Sequence, residues 1–509
     1  MPKDNHYGVL LAMVIAAELQ GITDECHEVL EPVLGKMSQR IAVFLRQPVD
    51  PAATFEFEKD VERLLREMGC QILGVVYNRL EPEKPDGLPK HFVDQGQEFS
   101  RKNEKTNNRG GIGTLFGEVA LRRFSCEPLQ EARDEGRTSF APLERQLGIA
   151  GGNATPALAE RVAFLAAGHT QQEVLERLAE DHGISWSVDV LRKVTAAVSG
   201  GMAVYLHEAQ KSQVLEWLRK ADGTKGRHRV VLAVGRDGIM LPIRGEKTYK
   251  EGAVGTITVY DRRGHRLGTV YLGQMPEAYQ ATLSDQLTRL LTEVLREWDG
   301  RWPRLVYVTD AGYHPTEYFE EVLQRMEDPR RPGRCLEWVR VVDFYHACEY
   351  LAKLALVLFD APEAHAAWLK KMRHWLKYEW NAVFRILHSA AHYWGKRALS
   401  RAEQEAYDKA YSYLNNHKDW MDYREYRRQG LPIGSGVTEA ACKTVFTQRF
   451  KESGMSWKTD GGQTILVLRL AKLSGVWNAV YHTFLQHRHL AFPVVTKASF
   501  RYTSQTNAA

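Results

Sequence analysis

The sequence predicts a mixed α/β core, interrupted by an all-helical stretch and preceded by mainly helical domains, and three observations predict it. Residues 230–273 adopt the two-residue apolar period of strands. Two later runs, "RLVYVTDAGYHP" and "LEWVRVVDFYHACEYLAKLA", each pass from a strand pattern into a helix start. Residues 360–430 then carry Trp368, Trp375, Tyr378, Trp380, Trp394, Tyr407, Tyr411, Tyr413 and Trp420 with no strand signal.

Taken in order, residues 1–77 read as a helical N-terminal domain. Asp50 and Pro51 form a cap and first-turn pair, and Phe57, Val61, Leu64, Leu65 and Met68 recur at helical spacing before Gly69. The run "GVLLAMVIAA" (8–17) reads as a buried helix segment, because it is too short to span a bilayer and only Lys3 precedes it. Residues 78–150 read as a linker and a small strand-containing segment: 78–111 are rich in Pro, Gly and charge, and "TLFGEVALRRF" suggests a strand pair or a bent strand. Residues 151–220 read as a helix-turn-helix-like DNA-binding domain of three short helices. Thr155 and Pro156 start the first, "TQQE" is a capping box for the second, and the third, after the "HGIS" turn, presents Arg192 and Lys193 outward. A plain helical hairpin fits the same stretch.

Residues 225–359 supply the first part of the core. The strands "RVVLAVGRDGIMLPIR", "AVGTITVYD" and "RLGTVYLG" suggest a meander, followed by a helix over about 276–298, a strand, a crossover helix and a last strand. Three strands, helix, strand, helix, strand is the opening order of a ribonuclease H-like fold. The helical insertion covers 360–430, the last helices of the core 431–490, and 491–509 read as a frayed tail.

At 509 residues the chain is long enough for several domains, and 44% hydrophobic with 26% charged residues is ordinary globular composition. A formal net charge of +5 permits a polyanionic partner without requiring one. Six scattered cysteines include no Cys-x-x-Cys pair, which argues against a disulfide framework or a zinc ribbon and for a reducing cytoplasm. No run approaches the ~18 apolar residues of a membrane span. No phosphate-cradling G-x-x-x-x-G-K-[ST] loop exists, so no nucleotide partner is expected. His388 and His392 lack the Glu of a His-Glu-x-x-His zinc helix.

The chemistry concentrates in three acids. Asp237 follows "VVLAV" and Asp310 follows "LVYVT", two expected strand ends, while Glu439 lies one turn into the helix after "LPIGSG". Three such carboxylates can hold two divalent cations about 3.5 to 4 Å apart, the clamp for in-line phosphoryl displacement, and sparse oxygen ligation suits Mg²⁺ or Mn²⁺. Singly, each acid also reads as a turn or helix-start residue. Lys443, one turn past Glu439, is either its i,i+4 partner or a contact to the DNA backbone. Asp343 and His346 share a strand-to-helix junction, where the histidine could act on protonation or phosphate and the pair also reads as a cap and a core histidine. Ser435 reads as a helix cap. Arg449 and Lys451 belong to basic clusters that suit a phosphate-tracking groove, and each cluster alone also reads as a solvated face.

The stretch from "YLNNHKDWMDYREYRRQGLPIGSGVTEAACK" through "GMSW" resembles the C-terminal signature of the Kra-type insertion-sequence transposases, and "RDGIMLPIR", "VTDAGYHP" and "VVDFYHACEYL" are similar to that family's upstream segments. The resemblance spans roughly residues 110–485. It implies a DDE transposase with Asp237, Asp310 and Glu439 as metal ligands on a ribonuclease H-like core. It also implies an Asp-x-x-His element at Asp343 and His346 of the kind found in Mutator-like transposases. Relatives often carry a cysteine pair around 122–130, whereas Cys126 stands alone here. The resulting expectation is an insertion-sequence transposase that works on double-stranded DNA at the nucleoid, as a dimer or larger assembly. The rivals are a ribonuclease H-like nuclease and a non-catalytic DNA-binding derivative.

Overall fold

A computed structural model describes residues 4–94, 96–108, 110–488 and 494–495. The chain divides into two compact units, residues 1–201 with 481–509, and residues 202–480.

The first unit opens on two long helices, α1 (Asp4–Arg46) and α2 (Pro51–Arg79). The Asp50 carboxylate accepts the Ala53 N–H at 2.7 Å, with Pro51 in the first turn, and the Phe44 and Phe57 rings stack at 4.2 Å. Residues 8–17 lie within α1, and the burial of their side chains falls outside the described residues. α2 does not stop at Gly69. A Cβ there would meet the Phe116 ring at 2.4 Å, so this glycine is a close-packing position and not a helix end. Of the apolar stripe on α2, Leu64 is buried whereas Leu65 faces solvent.

The segment read as a linker is folded. It forms β1 (His91–Asp94), β2 (Gln97–Arg101) and β3 (Thr106–Asn107), followed by β4 (Ile112–Thr114), β5 (Gly117–Val119), β6 (Arg122–Arg123) and β7 (Cys126–Pro128). β2 pairs antiparallel with both β1 and β7, and Phe92, Phe99 and Cys126 bury one another. Two aromatics in a charged stretch carry this small core, which is why composition reads as loop. Short helices α3 (Gln130–Asp134) and α4 (Pro142–Gln146) follow, then α5 (Pro156–Ala166) and α6 (Gln171–His182) with the expected capping box at Thr170 and Glu173. The third helix, α7 (Val188–Asp222), is long and not short: it passes through Gly200 and Gly201, and a Cβ at Gly201 would meet the Phe484 ring at 2.1 Å.

The second unit is built on five strands, β8 (Val231–Leu241), β9 (Lys250–Tyr260), β10 (Arg266–Gln274), β11 (Arg304–Thr309) and β12 (Trp338–Val342), in the order β10-β9-β8-β11-β12. The first three are antiparallel neighbours, whereas β11 is parallel to both β8 and β12. The sheet is therefore mixed. α8 (Ala281–Glu297) covers one face, where Leu232 and Val234 meet Leu287 and Leu290. α9 (Tyr313–Glu321) follows β11. The opposite face, with Val231, Ala233, Val306 and Val308, packs on α10 (Phe344–Leu358) and the helices after it. These are α11 (Pro362–Tyr378), α12 (Ala382–Trp394), α13 (Arg401–Asn416) and α14 (Tyr423–Arg428), with no strand between them among the described residues.

The chain returns through α15 (Gly436–Ala441), a π-helical turn (Cys442–Thr447) and α16 (Gln448–Phe450), then continues as α17 (Thr459–Leu473) and α18 (Trp477–Arg488). Residues 494–495 form β13 against β1, and the rest of the predicted tail lies outside the described residues. No helix among the described residues is long and apolar enough to cross a membrane.

Candidate active site

β8 and β11 run parallel with Val234 opposite Tyr307 as their last paired rung. Asp237 and Asp310 each lie three residues beyond that rung, so register sets the two carboxylates level on adjacent strands. Alternation puts Asp237 on the face of Val231 and Ala233, and Asp310 on that of Val306 and Val308. Asp237 does not stand at a strand end, as its sequence context suggests. β8 continues to Leu241 and stays paired with β9 throughout, so Asp237 sits within a strand that has parted from β11. Asp310 does end its strand. Its carboxylate accepts the Gly312 N–H at 2.9 Å, the intervening Ala311 has φ 65°, and its carbonyl accepts the Tyr413 hydroxyl at 2.8 Å.

Glu439 is carried to this face by α15. A Cβ at Gly235 would stand 1.9 Å from the Thr438 hydroxyl oxygen, so the glycine lets the helix seat directly on β8, two residues before Asp237. The Thr438 and Thr256 hydroxyls share a buried hydrogen bond of 2.9 Å that pins the helix to β9 as well. Ser435 occupies the cap position but does not cap through its side chain; its hydroxyl donates to Glu439 Oε1 at 2.9 Å.

Asp343 fixes the start of that helix. Fully buried, it accepts the His346 N–H at 2.7 Å through Oδ1 and the Ser435 N–H through Oδ2, while the Phe344 N–H donates to the Ile433 carbonyl at 2.9 Å. The junction after β12 and the turn before α15 are thereby clipped together. His346 packs among the tyrosines beside Asp310. Its ring centroid lies 5.3 Å from that of Tyr350 and 5.6 Å from that of Tyr413, and its Nδ1 is 3.4 Å from Glu349, so it packs behind the tyrosine that holds the Asp310 carbonyl.

Lys443 is exposed and forms no ion pair with Glu439, because the π turn begins between them at Cys442 and breaks the i,i+4 relation. Lys451 is exposed. Arg449, expected on DNA, is 1% exposed, with its guanidinium 5.0 Å from the Trp457 ring centroid; it is a core residue and cannot reach a phosphate. In the first unit, Arg192 and Lys193 face solvent on α7, and Arg192 lies 3.7 Å from Asp189.

Sequence reasoning missed Cys442. Its thiol donates to Asp237 Oδ2 at 3.2 Å. The available signal was its position three residues after Glu439, on the face that meets the sheet.

Burial above all pushes the Asp237 carboxyl up to about 6; the Cys442 and Gly238 donors oppose this, and the charges of Asp310 and Glu439 add to it. Burial and the same three carboxylates push the Cys442 thiol well up, so it stays protonated. Among the described residues no ion pair neutralises Asp237, Asp310 or Glu439. Uncompensated oxygen donors of this kind suit a hard divalent cation. As the side chains lie, Asp237 is engaged by Cys442 and Glu439 by Ser435, and among the described residues no group of three or more His, Cys, Asp and Glu closes around a metal. Lone Cys126 is packed in apolar core, where burial pushes its thiol up to about 12.

The arrangement defines a class: an α/β protein with carboxylates gathered on one face of a mixed sheet. No protein-family model matches the chain. It is similar to a curated protein of Streptococcus gallolyticus named "UPF0236 protein in vanSb 3'region", 25% identical over 436 residues that cover 84% of each chain.

Proposed function

We propose that the chain is a DNA transposase that cleaves element ends and joins them to target DNA by a DDE mechanism on a ribonuclease H-like core. The observation that carries this reading is the level placement of Asp237 and Asp310 on adjacent parallel strands, with Glu439 brought over the same face by α15. The sheet order, with three antiparallel strands followed by two parallel ones, supports the core assignment. Asp237, Asp310 and Glu439 would hold divalent cations, Mg²⁺ or Mn²⁺. When bound, such ions activate the attacking oxygen and stabilise the leaving oxygen at a phosphodiester.

The chain's own residues supply the geometry. The two strands hold the aspartates on rigid elements, Ser435 orients Glu439, and exposed Lys443 can meet the DNA backbone beside the cut. Hydrolysis at an element end frees a 3′-hydroxyl, and that hydroxyl then attacks target DNA. The second step conserves phosphodiester bonds and requires no nucleotide. Two ends must meet, so a dimer or larger assembly on DNA belongs to this reading, as does a place at the bacterial nucleoid.

One observation favours a second reading, a non-catalytic DNA-binding derivative working through the first unit: Arg192 and Lys193 face solvent on α7. A plasmid carrying the gene's own flanking DNA separates the two. The transposase reading expects wild-type protein to nick at fixed boundaries and form joined products in Mg²⁺ or Mn²⁺, and Glu439→Gln to do neither. Equal behaviour of the two proteins removes Glu439 from the chemistry and leaves the binding protein. Cleavage without joining selects the nuclease.

A further inference from the structure

We propose that Cys442 is a positioning residue for Asp237: its thiol is the side-chain donor that fixes the Asp237 carboxylate, and it ties that acid to the helix carrying Glu439. The inference rests on the reading of Asp237 and Glu439 as the reactive acids. Three observations carry it.

The first is the contact itself. Sγ stands 3.2 Å from Asp237 Oδ2, and no other side chain among the described residues donates to that carboxylate; its second oxygen takes the Gly238 N–H at 2.8 Å. The backbone donor holds one oxygen of the carboxylate, and the thiol holds the other. The second is register. α15 is seated on β8 at Gly235 and pinned by the Thr438–Thr256 bond, so the residue four positions past Thr438 falls over the strand at Asp237. The third is the π turn that opens at Cys442. A π turn holds one residue more per hydrogen-bonded ring than an α turn and leaves carbonyls in need of other donors. The buried Arg469 guanidinium serves one of them: its Nε donates to the Thr444 carbonyl at 2.7 Å and a second nitrogen donates to the same oxygen. The altered winding turns Lys443 to solvent while Cys442 keeps its sulfur on the sheet.

A thiol suits this position for a chemical reason. It is a weak donor, so it orients the carboxylate and yields readily when the oxygen takes another partner. A lysine or arginine here would form a charged bond of about twice the strength and keep the carboxylate engaged.

The test has a metal-free and a functional arm, both on the full chain. In the metal-free arm the infrared S–H stretch of Cys442 is isolated as the difference between wild type and Cys442→Ala, then measured again in Asp237→Asn. A low-frequency, hydrogen-bonded band that moves up in Asp237→Asn is the expected result. A free-thiol band that ignores the Asp237 substitution overturns the proposal, whatever the protein does to DNA. In the functional arm, end cleavage is compared for Cys442→Ala, Cys442→Ser and Cys442→Val. Ala and Val are expected to lose about three- to tenfold, with Ser restoring most of it, because Ser keeps the donor and Val keeps only the volume. Rescue by Val and not by Ser makes Cys442 a packing residue and sinks the idea. If the bonded band is present and no variant, wild type included, cuts DNA, the transposase reading fails while the Cys442–Asp237 bond stands.

Discussion

Asp237 shows how a single side chain can be held against its own stability. Its folded pKa, about 6, lies above the ordinary 3.8, so the folded protein holds this proton more tightly than the unfolded chain does. Stability from this group is therefore complete below about pH 4, falls as pH rises toward 6, and stays lost above it. The penalty at neutral pH is roughly 3 kcal/mol. Asp237→Asn removes it while keeping shape and the Cys442 acceptor. The variant is expected to melt higher than wild type at pH 7.5 without divalent metal, and the two curves should converge near pH 4 in thermal denaturation. A lower melting point at pH 7.5 would mean that the acid is not penalised. Residue chemistry was only partly legible in the sequence. The type and spacing of the three acids could be read directly. Arg449 could not, because a buried arginine looks identical in sequence to a phosphate contact until Trp457 and the surrounding core are in place. Cys442 was hidden because its partner lies 205 residues away.

Elements here are joined by missing side chains as much as by present ones. Gly235 admits α15, and a Cβ would stand 1.9 Å from the Thr438 oxygen and 2.8 Å from that of Thr256. Gly235→Ala is expected to cost about 1–3 kcal/mol by overpacking and, on the transposase reading, to abolish end cleavage by displacing Glu439. Gly200→Ala is the control. It meets nothing within 4 Å inside α7 and is expected to raise the melting temperature slightly by removing backbone entropy from the unfolded chain. If Gly235→Ala melts and cleaves like wild type, α15 does not seat on β8 as described. Strand and helix periods in the second unit were legible because each element has one buried face. The 78–111 stretch was not, since its sheet depends on Phe92 and Phe99 amid charge, and α7 was cut short in sequence because paired glycines look like a stop when the Phe484 ring is not in view.

On the scale of the whole molecule, the three acids come from two strands and a helix with no cation among them, so ligand binding and folding are coupled. Mg²⁺ or Mn²⁺ at about a hundredfold over its dissociation constant is expected to stabilise wild type by about 2.7 kcal/mol, seen as a rise in melting temperature, and Glu439→Gln to lose most of that rise. Identical shifts in both proteins would place the ion elsewhere. The mixed sheet and the helical stretch that interrupts it follow from pattern alone. The clip between Asp343 and Ser435, which closes the two ends of that stretch, does not, because it forms only when both ends exist.

The long separation between Asp310 and Glu439 has a bearing on the chain's synthesis. A ribosome delivers Asp310 129 residues before Glu439, and Asp237 earlier still, with the whole of α11–α14 yet to be made. The seat of α15 on Gly235 and the clip of Asp343 to Ser435 both bridge that interval, so neither can form before α15 is made. A nascent or prematurely terminated chain ending anywhere in that interval therefore carries two aspartates and no third acid, and on the transposase reading synthesis itself acts as a safety catch until α15 has emerged.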